Sequence, residues 1–147
     1  MLGAPNAAEG RLAAIMEIMK TETVDGQRII DNPIFRDRLM QLQARVLSMK
    51  FNGLRVLTDE TAGLARLIVK LQGCELNHQV AALAIDALGE LGILYHDGPH
   101  LRAKGGWQRN YMFDLGLIIG GGTAQIQKNI ISERGLGMPR EPKVVGA

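Results

Sequence analysis

The sequence predicts an all-α protein, an antiparallel four-helix bundle closed by a short C-terminal helix. Three observations predict it. Apolar residues recur at steps of three and four in several long segments, which places them on one helical face. The connections between these segments are short, polar and rich in capping or helix-breaking residues. No run alternates apolar and polar residues as a half-buried strand would. Long amphipathic helices joined by short turns bury their stripes by packing side by side with alternating direction.

The first helix covers about Ala7 to Lys20, with Leu12, Ile15, Met16 and Met19 on one face. Gly10 costs it about 1 kcal/mol relative to alanine. Thr21 to Ile30 reads as a polar connection, with Asp25-Gly26 as its turn. The second helix opens at Asp31-Asn32-Pro33, where Asn32 is the N-cap and Pro33 the first helical residue. Phe35, Leu39, Leu42, Val46 and Met49 then form a bundle-type seam, and the helix reaches about Leu57. Thr58-Asp59-Glu60-Thr61 is a turn of capping residues. The third helix runs from about Ala62 to Leu88, with Leu64, Leu67, Ile68 and Leu71 resumed by Val80, Leu83 and Leu88. Its middle is polar, at Cys74, Glu75, Asn77 and His78. Gly89-Glu90-Leu91-Gly92 ends it, and Tyr95 to Gly106 is a long loop. A fourth helix covers about Gln108 to Ile119, with Tyr111, Met112, Leu115, Ile118 and Ile119 as its apolar residues.

The last helix has both ends written out. Gly120, Gly121 and Gly122 break what precedes them, and Thr123 caps the new helix through its hydroxyl. Ile126, Ile130 and Ile131 give one stripe, and Glu133 and Arg134 fill the last turn. Gly135 is read as a left-handed stop, and Pro139 prevents resumption.

Composition narrows the function classes. A chain of 147 residues makes one core, and 46% hydrophobic with 22% charged residues is ordinary for a globular protein. A net charge of +2 with interspersed signs, and 4% aromatic residues, argue against a nucleic-acid partner. Cys74 is the single cysteine, which allows no internal disulfide and suits a reducing compartment. No apolar run approaches the ~18 residues of a membrane span. No basic region followed by an apolar one opens the chain. The expected location is therefore cytoplasmic. Arg140 and Lys143 read as a short solvated basic tail.

The stretch from Gly120 to Arg140 resembles the closing motif of the acyl-CoA dehydrogenase family of flavoproteins. That motif runs roughly Gly-Gly-Thr-x-x-Ile-Gln-x-Asn-Ile-Ile-x-Glu-Arg-x-Leu-Gly-x-Pro-Arg. The likeness covers about residues 31 to 143. It implies the family's C-terminal helical bundle with its short terminal helix. By the same resemblance, Gly122, Thr123 and Gln125 lie against flavin adenine dinucleotide (FAD). A helix N-terminus offers free N–H groups to such a ligand, and glycines let it approach the backbone. In the family, the turn after the third helix commonly reads Gln-x-x-Gly-Gly-x-Gly. Here it reads Asp86-Ala87-Leu88-Gly89-Glu90-Leu91-Gly92, so Gly89 and Gly92 match and imply contact with a neighbouring subunit's FAD. The glutamine and the middle glycine are replaced by Asp86 and Glu90.

One departure bears on mechanism. Many family members carry, two residues before the threonine, the glutamate that removes the α-proton of the acyl thioester while the β-hydride passes to flavin N5. That position is Gly121, which cannot take a proton. Other members carry the base on an earlier helix. Glu9 and Glu17 lie on the first helix here, but no motif marks either, so the catalytic base is unassigned.

Other signals read as structure. His96, Asp97 and His100 lie among Gly98 and Pro99, off a helix, and make a solvated loop rather than a metal site. His78 reads as a hydrogen-bonded residue at a helix contact, Cys74 as a small core residue and the seven methionines as core filling. Arg109 is compatible with a phosphate contact or a surface role and is not assigned. The expected organisation is a partial first helix and linker over 1–30, the bundle over 31–143 and a tail over 144–147. The reading is the C-terminal domain of a flavin-dependent acyl-CoA dehydrogenase separated from the family's N-terminal and middle domains. Alone it is expected to be inactive and to self-associate through a flank those domains cover. The implied partners are an acyl-CoA substrate in the intact enzyme and a homodimer or tetramer. The alternative is a non-catalytic module that completes a nucleotide site on a homologous catalytic subunit.

Overall fold

The structure, a computed structural model, describes residues 5–59 and 62–142. Glu60 and Thr61 of the capping turn, the opening residues 1–4, Lys143 and the 144–147 tail lie outside the described residues. Five helices form in the predicted order: α1 (Pro5–Thr21), α2 (Pro33–Thr58), α3 (Gly63–Leu88), α4 (Gly106–Ile119) and α5 (Ala124–Ile130).

The start of α2 follows the local chemistry. Asn32 Oδ1 accepts from the amides of Ile34 at 2.9 Å and Phe35 at 3.4 Å, and Pro33 occupies the first turn. Its seam is real, with Leu39, Leu42 and Val46 buried and Phe35 and Met49 packed at the edge. From α1, Leu12, Ile15 and Met19 enter the same core. The second half of α3 buries Val80, Ala81, Leu83, Ala84, Ala87 and Leu88, because α3 touches every other helix. Its alanines let those neighbours come close. Each fully buried large side chain, such as Ile15, Leu39 or Leu83, contributes about 1.5–3 kcal/mol.

Cross-helix bonds fix the antiparallel packing. Arg38 pairs with Asp86 at 2.7 Å, and farther along Asn52 donates to the Ala65 carbonyl at 3.0 Å, so α2 and α3 run oppositely. Lys70 meets the Ile118 carbonyl at 2.9 Å, while His78 lies on the Tyr111 ring at 4.5 Å, so α3 and α4 do the same. Lys50 of α2 pairs with Glu9 of α1 at 2.9 Å.

Several expectations need correction. The connection after α1 contains a small antiparallel hairpin, β1 (Thr23–Val24) with β2 (Gln27–Arg28). Asp25 and Gly26 turn it with φ of 53° and 77°, two consecutive left-handed residues that suit a tight hairpin. Two-residue strands leave no alternation to read. Gly135 is not the left-handed stop. Its missing side chain instead admits Leu64, whose Cδ1 would meet an added Cβ, and Gly137 takes the positive φ of 66°. The chain ends α5 through a π-turn over Ile131–Gly135. Met112, Leu115, Ile119 and Ile126 face outward, as do Met40 and Met138, so these methionines do not fill the core. His78 packs on Tyr111, and its buried Nδ1 has no hydrogen-bond partner. Arg140 is exposed but pairs with Glu133 at 3.1 Å.

Candidate functional site

The glycine turn between α4 and α5 is built by its backbone. Gly121 and Gly122 have φ of 70° and 105°, a region L side chains rarely adopt, which explains glycine at both positions. Thr123 is extended, with ψ of 167°, and its hydroxyl accepts from the Ile126 amide at 3.4 Å. The predicted cap is therefore present. Two side chains then hold the turn. Gln127 Nε2 donates to the Gly121 carbonyl at 2.9 Å. Lys70 Nζ donates to the carbonyls of Ile118 and Gly122.

The outer side of this turn is open. A Cβ added at Gly121 would meet nothing within 4 Å. Thr123 and Gln125 are exposed beside it, and Gly122 is half-buried. The first-turn amides of a helix lack intrahelical acceptors. An open glycine backbone, a hydroxyl and a carboxamide at such an end suit the phosphate, ribose and amide groups of a flavin nucleotide. The residues present fit FAD.

The second predicted pair is at the other end of the molecule. Lys70, which touches the first turn, and Gly89 are separated by about five turns of α3, roughly 28 Å. Gly89 is exposed, with φ of 54° and open space where a side chain would be. Gly92 is buried. A Cβ there would collide with the Ile85 carbonyl oxygen, and its own carbonyl accepts from Gln108 Nε2 at 2.8 Å. Gly92 shapes the turn from within, and Gly89 presents it. The structure therefore brings Gly122, Thr123 and Gln125 together and keeps Gly89 and Gly92 apart from them.

Beyond Gly92 lies a groove of about 610 Å³ lined by Tyr95, His96, Asp97, Leu101, Lys104 and Arg109. His96 and His100 of this loop are exposed, and the described residues contain no group of three or more His, Cys, Asp and Glu residues able to hold a metal. At the two carboxylates of α1, Glu9 pairs with Lys50 and Glu17 with Lys20 at 3.0 Å.

Sequence reasoning missed two residues. Lys70 sat on a helix with no motif around it. Asp114, which no motif marks, is wholly buried and paired with Arg11 at 2.7 Å. A lone aspartate among apolar residues of α4 was the available signal.

The class the fold defines is a mostly helical bundle with an open glycine turn at one helix start and a second exposed glycine turn at its far end. The family model "Acyl-CoA dehydrogenase, C-terminal domain" matches residues 1–136, and the chain belongs to the acyl-CoA dehydrogenase family. It is 34% identical over 113 residues to acyl-CoA dehydrogenase IpdE1 of Mycolicibacterium smegmatis, covering 77% of this chain and 28% of that protein. The chain thus spans under a third of that relative's length. Among solved structures, the ChsE4-ChsE5 complex from Mycobacterium tuberculosis is similar with a TM-score of 0.81 at 26% identity, over 96% of this chain and 38% of that one. An FAD complex of PigA shares the fold, with a TM-score of 0.70 at 22% identity, over 91% of this chain and 34% of that one. FAD is the cofactor of this family's dehydrogenases. No helix among the described residues is long and apolar enough to cross a membrane.

Proposed function

We propose that this chain is the C-terminal domain of an FAD-dependent acyl-CoA dehydrogenase, serving cofactor binding and subunit assembly rather than proton abstraction. The observation that carries the reading is the open, positive-φ backbone at Gly121 and Gly122 beside Thr123 and Gln125. FAD supplies the hydride acceptor for α,β-dehydrogenation of the acyl thioester. The chain's residues bind: Gly122, Thr123 and Gln125 face one nucleotide, and Gly89 faces a second on a neighbouring subunit. Gly92 packs on the Ile85 backbone and accepts from Gln108, which anchors the turn that carries Gly89. That the two turns lie at opposite ends of α3 supports contact with two separate nucleotides. We take the bundle to be the segment read as 31–143, with α1 packed on its described part.

A second reading is favoured by one further observation. Gly121 stands where many relatives hold the base, and Glu9 and Glu17 are occupied in ion pairs. The chain then belongs to a non-catalytic subunit that completes the site of a homologous partner, an arrangement consistent with similarity to a complex of two differently named chains.

The test is to purify the complete polypeptide that carries this chain and record its visible spectrum and subunit composition. Bound flavin with acyl-CoA turnover by a homo-oligomer supports the first reading. Flavin retained only in a complex with a second, glutamate-bearing homologue supports the alternative. A protein that stays colourless with added FAD, both alone and together with such a homologue, removes both.

A further inference from the structure

We propose that Lys70 is the positioning residue of the cofactor-facing turn: its ammonium holds the Gly120–Thr123 backbone in its open form without touching the ligand. The proposal rests on the reading of that turn given above.

The geometry is specific. Lys70 projects from α3 and donates to the Ile118 carbonyl at 2.9 Å and to the Gly122 carbonyl. Ile118 lies in the last turn of α4, where carbonyls have no intrahelical donor. Gly122 immediately precedes the Thr123 cap of α5. One cation therefore spans the turn, joining the end of one helix to the start of the next. A positive charge is also favoured at a helix C-terminus. Both bonds go to main-chain carbonyls, and the residue is half-buried, so its role is directed at the backbone.

The turn needs such a brace. Three successive glycines lose more conformational freedom on ordering than any other residues would. Without a brace, that ordering falls on ligand binding and weakens it. Gln127 holds Gly121 from the α5 side, but it belongs to the element being positioned. Lys70 is anchored on the helix that touches every other one, so it refers the turn to the core.

The experiment has two arms. In this chain, amide hydrogen exchange at Gly120, Ile126 and Gln127, which donate to the Gly116 carbonyl, the Thr123 hydroxyl and the Thr123 carbonyl, should accelerate roughly tenfold or more in Lys70→Met, the loss expected for two charge-assisted hydrogen bonds. Exchange in Ala81–Leu88 of the core should not change. Lys70→Arg, which keeps the charge and the donors, should stay within about threefold of wild type. In the complete polypeptide, Lys70→Met should raise the FAD dissociation constant about tenfold, while at saturation the bound-flavin spectrum matches wild type and Lys70→Arg restores affinity. Unchanged exchange in the turn overturns the proposal. So does a loosened turn with unchanged FAD affinity. If Lys70→Met loses its helical circular dichroism, Lys70→Gln replaces it and must show the same local loosening with helices intact; its absence is equally fatal. A wild-type polypeptide that binds no FAD, alone or with a glutamate-bearing homologue, overturns the reading of the turn itself, and shows this before any variant is made.

Discussion

Arg11 and Asp114 lock the first helix to the fourth. Arg11 Nη1 donates to Asp114 Oδ2 at 2.7 Å, and the two side chains differ in exposure, 25% for the arginine and 0% for the aspartate. The other carboxylate oxygen, Oδ1, is buried without a partner among the described residues. Asp114 lies on α4, whose far end opens into the glycine turn, so this pair sets the helix that presents the candidate site.

The unequal exposure predicts unequal losses. Arg11→Met leaves a wholly buried carboxylate without its cation and should cost about 3–5 kcal/mol. Asp114→Asn frees a guanidinium that can turn into water and should cost less, about 1–3 kcal/mol. Urea unfolding of both variants checks the order. Equal losses, or a larger one for Asp114→Asn, would show that the pair is not held as described.

The two glycines of the far turn should separate in the same kind of measurement. Gly92→Ala drives a Cβ into the Ile85 carbonyl oxygen, a backbone atom that cannot step aside. Its cost should be about 3 kcal/mol or more. Gly89→Ala meets open space but keeps a φ of 54°, for a cost of about 1–3 kcal/mol. Only Gly89→Ala should weaken FAD binding in the complete polypeptide by more than its effect on stability explains. A Gly92→Ala variant as stable as wild type would refute the packing account.

How far the sequence could be read follows from what each feature depends on. The Asn32-Pro33 start of α2 and the Thr123 cap of α5 are local chemistry, and both appear as read. The seam of Leu39, Leu42 and Val46 is periodic and was equally legible. The outward faces of Met112, Leu115 and Ile119 were not, because a bundle helix with apolar residues on two sides does not say which side is inside. Trp107, Gln108 and Asp114 took the inner side instead. Gly135 illustrates another limit: a glycine after a helix signals either a left-handed stop or a close neighbour, and the neighbour, Leu64, is far away in sequence. Lys70 at the glycine turn is a long-range contact of the same kind. In the site, the residues of one local motif were legible together, whereas the brace from another helix was not.

Gly121→Glu tests whether this turn can host a carboxylate at the position many relatives use. There is room for the side chain, but a φ of 70° costs a non-glycine residue about 1–2 kcal/mol. The melting temperature should fall by roughly 3–6 °C. Exchange at the neighbouring amides should rise, and acyl-CoA should not bleach the flavin of the complete polypeptide. A variant with unchanged melting temperature that does bleach would mean that the backbone accommodates the base.

The outward apolar residues predict self-association of this chain. Met112, Leu115 and Ile119 recur along α4, and Met40, Leu47 and Leu54 along α2, all more than 40% exposed. A contiguous apolar face of this kind marks an interaction surface. At tens of micromolar, sedimentation should show dimers or larger species. The double change Leu115→Glu with Ile119→Glu should return monomers if the α4 face is the one used. A strictly monomeric wild type would count against the prediction.

Cys74 should make stability fall in alkali. Burial, the largest cause, pushes its thiol up; Asp114 and Glu75 add to this, and Lys70 opposes it. The folded state therefore holds the proton to higher pH than the unfolded chain, whose thiol ionises near pH 8.5. Above about that pH the unfolded state has released its proton and the folded state has not, so unfolding stability declines as pH rises. Below it both are neutral and Cys74 adds no slope. The steepest possible decline from one group is about 1.4 kcal/mol per pH unit. Urea unfolding at successive pH values from 7 upward should show the decline in wild type and a shallower one in Cys74→Ala, which keeps a small apolar group but has no proton to hold. Identical slopes in the two proteins would place the alkaline sensitivity elsewhere. Lys70→Met removes the one opposing charge and should hold the thiol neutral to still higher pH, so the difference from Cys74→Ala should widen.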